Sequence, residues 1–394
     1  MIDALRERLG RVLGRDHLRP EAFPFGALLL AVGALLVGLL FVSTMADSPS
    51  NLDGQEIDYL GHREKVLFAL PMFFLGLFLR PAWLRRYTPL VYLGCVALLA
   101  LVPIVGIERN QAKRWIQLPR FDLQPSELAK IGVILMLAGV LHANPLRGVV
   151  DWLKPLVVVL VPMALVAAQP DLGTALTLVP VTLGLIYLAG GSGRTIVGMA
   201  AAGALTAIIA VQGGLIRGYQ LERIETWVES FDADELIAAR NGPGFHTYHA
   251  RAFIGNGGLT GRGLGEGVAN ETGLLPERDC DSIIAVVGEE WGFLGTSAVL
   301  LGYALMVLGL FTSASRVRDR YARLVVGGVA IYFAAHLIIN VSVNVGLLPM
   351  TGLTLPLLST GGSSLLATFL GLGIALGMAS HHERNLGSDA FRRY

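Results

Sequence analysis

The feature that constrains this chain most is a recurring apolar stretch about as long as a lipid bilayer is thick. Such runs are readable near residues 23–45, 64–80, 87–106, 125–142, 153–169, 174–190, 195–214, 281–312, 323–347 and 363–380. A helix rises about 1.5 Å per residue, so roughly 20 apolar residues cross a hydrocarbon core. Composition points the same way, with 53% of residues hydrophobic and 15% charged, where a soluble domain carries about a quarter charged. The expected fold is all-α: a polytopic integral membrane protein with about ten transmembrane helices. The first run follows a basic segment, exceeds a signal-peptide core in length and shows no convincing small-x-small cleavage site, so it is expected to remain as an anchor.

An even number of crossings places both termini on one side, and basic residues identify that side as cytoplasmic. Of the 31 Lys and Arg residues, 18 fall in the segments this assigns to the inside, including Arg6, Arg8, Arg11, Arg80, Arg85, Arg316 and Arg318. The expected organisation is a basic cytoplasmic segment at 1–22, helices one to seven over 23–213, a large extracytoplasmic loop at 214–280, helices eight to ten over 281–380, and a cytoplasmic tail at 381–394. The first outer loop is acidic, with Asp47, Asp53, Glu56 and Asp58. The second breaks the rule with Arg109, Lys113, Arg114 and Arg120. Cations held outside against the insertion bias are either neutralised locally, here by Glu108 and Asp122, or form a site for an anionic headgroup or pyrophosphate.

Several chemistries are excluded by pattern. The glycines of Asn256-Gly-Gly-Leu-Thr-Gly-Arg-Gly-Leu-Gly-Glu-Gly267 fit tight turns and match neither the dinucleotide nor the phosphate-loop spacing. There is no H-E-x-x-H, no G-x-S-x-G elbow and no S-x-x-K with a K-T-G partner. Cys95 and Cys280 differ too much in setting to suggest a disulfide or a metal site. Any catalysis must use carboxylates and cations, and nothing suggests nucleic acid.

Ionisable residues within membrane spans mark sites by default. In Gln124-Pro-Ser-Glu-Leu-Ala-Lys130, proline suits the first helical turn and puts Glu127 and Lys130 on one face. They form either an ion pair that permits burial or a cavity wall in which Lys130 holds a phosphate. Asp171, in Gln169-Pro-Asp171, reads first as a helix cap. Asp281 opens the eighth span beside Glu277, Arg278 and Asp279 and is the best general-base candidate. Glu289 and Glu290, deeper on the same helix, keep a proton-coupled transporter in play. The segment Asn344–Ser364 carries prolines and glycines at a membrane boundary, where irregular backbone must line protein or water.

In this order the pieces resemble the SEDS family (shape, elongation, division and sporulation), which includes the RodA and FtsW peptidoglycan glycosyltransferases. The likeness rests on Lys113-Arg-Trp115, Gln124–Lys130, Gln169-Pro-Asp-Leu-Gly-Thr-Ala-Leu176, Leu275-Pro-Glu277 with Asp281, Val287-Gly-Glu-Glu290, and Leu348-Pro-Met-Thr-Gly352 leading to Ser359-Thr-Gly-Gly-Ser-Ser364. The resemblance implies ten helices in the bacterial cytoplasmic (inner) membrane. It also implies polymerisation of lipid II on the outer face, with undecaprenyl pyrophosphate leaving. Asp281 falls on the family's essential aspartate. The implied substrate-binding set is Lys113, Arg114, Glu127, Lys130, Asp171, Arg223, Glu277, Ser363 and Ser364, with room for a divalent cation, magnesium or manganese.

The implied partners are a monofunctional class B penicillin-binding protein and other membrane proteins of the elongation or division machinery. The chain departs from the family pattern at Asp279, Cys280 and Ser282, where His-Thr and Phe flank the aspartate, at His249-Ala250 for Gln-Ser, and at Thr360 for Tyr. These departures hinder assignment to the elongation or the division branch. A lipid II flippase and an ion-coupled transporter stand as alternatives.

Overall fold

A computed structural model describes residues 22–50, 57–109, 112–118, 122–146, 149–213 and 218–381. The basic segment at 1–21, the tail at 382–394, and Asp53, Glu56 and Arg120 lie outside the described residues.

Every expected span is a helix. In chain order they are α1 Phe25–Ala46, α2 Tyr59–Phe78, α3 Pro81–Val105, α4 Pro125–Leu141, α5 Val149–Ala168, α6 Leu172–Leu188 and α7 Gly193–Gln212. After the cap come α12 Ile283–Arg316, α13 Arg320–Asn344 and α14 Gly362–Ser380. Six of these, α1, α3, α5, α12, α13 and α14, are long and apolar enough on their own to cross a membrane. The protein is a multi-pass membrane protein. Helix starts are set locally: Pro81 and Pro125 occupy first turns, and Asp58, Asp171, Ser192 and Asp319 accept backbone N–H bonds as caps.

Burial sorts the helices into an inner and an outer set. Within the most apolar windows, 67% of α13 and 78% of α14 is inside the protein, against 17% of α3 and 22% of α12. The outer helices turn Leu29, Leu36, Leu90, Ile104, Val197 and Leu305 outward, as lipid-facing surfaces must. Lipid is as apolar as leucine, so close backbone contact rather than hydrophobic transfer holds helix to helix. Between α2 and α14 that contact depends on Gly373: a methyl group there would overlap the Phe73 carbonyl.

Two features escape a count of apolar runs. The second outer loop carries a three-stranded antiparallel sheet, β1 Ile107–Arg109, β2 Ala112–Gln117 and β3 Asp122–Leu123, with Ile107 opposite Trp115 and Ile116 opposite Leu123. The eighth span is also bent. Gly292 sits at φ +65, and a side chain there would strike Leu259 and Gly261 of the glycine-rich loop. That loop bonds at the bend, with the Phe293 N–H donating to the Gly258 carbonyl at 2.8 Å. The arm before the bend, Ile283–Glu290, is buried throughout.

The large loop is an ordered cap, as its turn-rich composition suggests. It holds α8 Tyr219–Glu229, α9 Ala233–Ala238, α10 Phe245–Asn256 and α11 Val268–Thr272. Arg251 ties it down, donating to the Ser230 carbonyl at 2.7 Å and to the Gly346 carbonyl, just past α13, at 3.0 Å.

Candidate active site

Asp281 lies in the turn between cap and α12, 6% exposed. Two asparagines one helical turn apart on α13, Asn340 and Asn344, both donate to its main-chain carbonyl at 2.9 Å. On the side chain, the Ser282 hydroxyl lies 3.3 Å from Oδ1 and His246 Nε2 lies 3.8 Å from the same oxygen. Ser282 and His246 are themselves bonded at 2.8 Å. With Oδ1 engaged, Oδ2 faces the stretch at Gly352. Glu277, four residues earlier, adopts φ +49, which turns the chain sharply into this position.

The carboxylate opens onto a cavity of about 990 Å³. Eight of the ten residues nominated from sequence line it: Asp281, Arg114, Glu127, Asp171, Arg223, Glu277, Ser363 and Ser364. Arg114 reaches in from β2. Its Nε donates to the Gln169 carbonyl at 3.2 Å, its Nη2 donates to the Pro170 carbonyl, and its Nη1 lies 3.8 Å from Asp171 Oδ1. Asp171 both caps α6 through the Thr174 N–H and accepts from Gln124 Nε2 at 3.0 Å, so its role extends past capping. Arg223 enters from α8 and donates to the Met350 carbonyl at 2.9 Å. Ser363 accepts from the Gln124 N–H at 2.8 Å and donates to the Asp122 carbonyl at 2.9 Å, while Ser364 bonds Thr354 at 2.9 Å.

Two nominated residues lie outside this lining. Lys113 precedes Arg114 on β2 and is exposed, outside the cavity wall. Lys130 is 1% exposed and sits behind the wall. Its ammonium is 2.8 Å from Glu127 Oε1 and 3.0 Å from His336 Nε2. His336 Nδ1 is 3.0 Å from the Thr354 carbonyl, so that nitrogen carries the proton and Nε2 accepts from the lysine. The ion-pair reading of Glu127 and Lys130 fits this geometry, with Glu127 alone reaching the cavity.

Charge is concentrated in the lining. Burial draws the Arg223 guanidinium down to about 10, opposed by the Asp281 carboxylate and reinforced by Arg114. Glu277 is pushed above the usual carboxylate range by the desolvation of its cleft and then by Asp281 and Asp279. A cation could be sought at Glu277, Asp279 and Cys280, whose donor atoms lie within 4.8 Å of one another. Magnesium and manganese prefer oxygen donors. Here burial raises the Cys280 thiol well above its ordinary value, and Thr360 Oγ1 already bonds Asp279 Oδ2 and Cys280 Sγ. The group fits a hard cation poorly, and the arginines are the better source of positive charge. Three of the departures from the family pattern, Asp279, Cys280 and Thr360, thus contact one another.

Glu289 and Glu290 do not face this cavity. Glu289 accepts from the Ala269 N–H at 2.9 Å, while Glu290 accepts from the Gly265 N–H at 2.8 Å and from the Asn270 amide. They anchor the glycine-rich loop to the bent arm of α12, an arrangement that does not favour a proton path. Sequence reasoning missed His246, Asn340, Asn344 and Lys65. The i, i+4 spacing of the two asparagines in an apolar helix was the available signal.

Residues 26–385 match a family model described as cell cycle protein, covering FtsW, RodA and SpoVE. MrdB of Escherichia coli K12, named a peptidoglycan glycosyltransferase, is 32% identical over 304 residues, 77% of this chain and 80% of MrdB. A probable peptidoglycan glycosyltransferase FtsW of Halomonas elongata is 33% identical over 384 residues, 94% of this chain and 92% of its own length. Among solved structures, a chain from a peptidoglycan synthase complex that coordinates polymerization and crosslinking superposes with a TM-score of 0.76 at 29% identity, covering 91% of this chain and 97% of the other. The rod shape determining protein RodA of Thermus thermophilus gives 0.68 at 28% identity, covering 92% and 98%.

Proposed function

The chain belongs to the FtsW/RodA/SpoVE family, and from that premise and the cavity's chemistry we propose that it is a peptidoglycan glycosyltransferase. It joins lipid II units into glycan strands at the outer face of the bacterial cytoplasmic membrane, with both of its own termini inside, and releases undecaprenyl pyrophosphate. The supporting observation is a single cavity that holds the Asp281 carboxylate together with the Arg114 and Arg223 guanidinium groups.

A diphosphate leaves as a stabilised anion, so the reaction needs fixed positive charge more than a strong general acid. Asp281 Oδ2 takes the proton of the acceptor sugar's 4-hydroxyl. The resulting oxygen attacks the donor's anomeric carbon, the bond from that carbon to the diphosphate oxygen breaks with inversion, and the electron pair leaves on the diphosphate. Arg114 and Arg223 hold that developing charge, each positioned by main-chain carbonyls. Asn340 and Asn344 fix the Asp281 backbone, while Ser282 and His246 hold Oδ1 so that the second oxygen stays presented to the cavity. Asp171 orients Arg114, and Glu127, Ser363 and Ser364 shape the wall around the sugar. Lys113 and Lys130, which lie outside the lining, are assigned no step in this reaction.

A class B penicillin-binding protein is the proposed partner, matching the coordination of polymerization and crosslinking in the structurally similar complex. The test is purified full-length protein in liposomes with labelled lipid II, with and without such a partner, scored for glycan chains by gel electrophoresis. Polymer formation supports the reading. Lipid II movement across the bilayer with no polymer under either condition replaces it with a flippase.

A further inference from the structure

The diphosphate released by this reaction carries a hydrocarbon tail that stays in the bilayer, so it must leave the cavity sideways, between helices. Next to the main cavity lies a second one of about 530 Å³ between the starts of α2 and α14, and the two share Lys65 and Gly362 in their linings. The helices run parallel. They touch through Gly76, Gly373 and Gly377 in their second halves, and the groove occupies the space between their first halves.

The groove grades from charged to apolar. Lys65 stands at the junction, and its stem lies close to Gly362 at the positive end of α14. Among the described residues its ammonium has no hydrogen-bond or ion-pair partner, whereas Arg114, Arg223 and Lys130 are all engaged. Phe68, 46% exposed, and Leu366 form the apolar wall beyond it. Of the two carboxylates at the groove, Asp58 is occupied in capping α2 through the Gly61 N–H at 2.7 Å, and Glu64 is exposed.

We propose that this groove binds the polyprenyl diphosphate product, with Lys65 holding the diphosphate and Phe68 and Leu366 contacting the first isoprene units. The proposal rests on the glycosyltransferase reading and gives the leaving group a route from the two arginines to the membrane. Lys65 is a cation aimed at this junction, and the continuity of the two cavities supplies the path.

The experiment measures equilibrium binding of radiolabelled undecaprenyl pyrophosphate to the full-length protein in nanodiscs, without lipid II and without turnover. Loss of one charge-assisted contact predicts that Lys65→Gln weakens binding about tenfold or more, while Lys65→Arg stays close to wild type. Leu366→Gln weakens binding of the polyprenyl diphosphate and leaves inorganic pyrophosphate, which has no chain, unaffected. Equal affinity of wild type and Lys65→Gln, or no binding by wild type, overturns the proposal. Because no turnover is involved, that outcome is separate from failure of the glycosyltransferase reading, which the lipid II assay detects.

Discussion

Replacing Lys130 with methionine separates a structural from a substrate-binding role for the most deeply buried cation at the site. The ammonium is 1% exposed, 2.8 Å from Glu127 and 3.0 Å from His336, with the Tyr332 ring centroid 5.5 Å away. Removing it leaves the Glu127 carboxylate, 5% exposed, without its counter-ion, and Glu127 Oε2 has no protein partner to compensate. Breaking one side of a buried pair costs on the order of 3–5 kcal/mol, whereas replacing both sides with apolar or neutral groups of like volume is near neutral. Lys130→Met is therefore expected to lower the thermal unfolding midpoint in detergent clearly. The double variant Glu127→Gln/Lys130→Met should regain most of that loss. Thermal melts of the four proteins close the cycle, and a coupling near the single-variant cost is the expected result. If Lys130→Met melts like wild type while its KM for lipid II rises, the lysine contacts substrate and the geometry described here is wrong.

Three further outcomes follow from the same contacts. Asn340→Leu and Asn344→Leu each remove one donor to the Asp281 carbonyl, so each should cost about 1 kcal/mol of stability and the pair should lower kcat more than additively, read from melts and polymer yield. Gly373→Leu places a side chain against the Phe73 carbonyl, and size-exclusion chromatography should show aggregated or unfolded protein; a monodisperse variant of normal melting temperature contradicts the α2–α14 packing. Glu289→Gln should loosen the glycine-rich loop, visible as faster hydrogen exchange over residues 262–272, with no change in the dependence of activity on a proton gradient.

The helical framework was legible because bilayer thickness translates directly into run length: each of the ten apolar runs is a helix, displaced by a few residues where a proline or an Asp cap sets the start. The sheet at 107–123 was not, since its strands are short and mix charged with apolar residues, so pairing rather than periodicity defines them. That omission bears on Lys113 and Arg114, neighbours on β2 of which the first is exposed and the second reaches into the cavity. The bend at Gly292 escaped for a related reason, because a glycine inside an apolar run carries no mark of the loop that approaches it. Asp281 was visible from its place between a polar cap and a span. Its partner His246 was not, since the two stand 35 positions apart in the chain and only the fold of the cap joins them.

The most direct test compares wild type with Asp281→Asn in the same nanodiscs, measuring lipid II binding and single-turnover glycan formation side by side. Removal of a general base predicts a rate lower by about 10²–10⁴ with lipid II affinity preserved, because Asn keeps the shape and the backbone contacts of the aspartate. Normal polymer from Asp281→Asn, with binding intact, would show that no proton passes to this carboxylate.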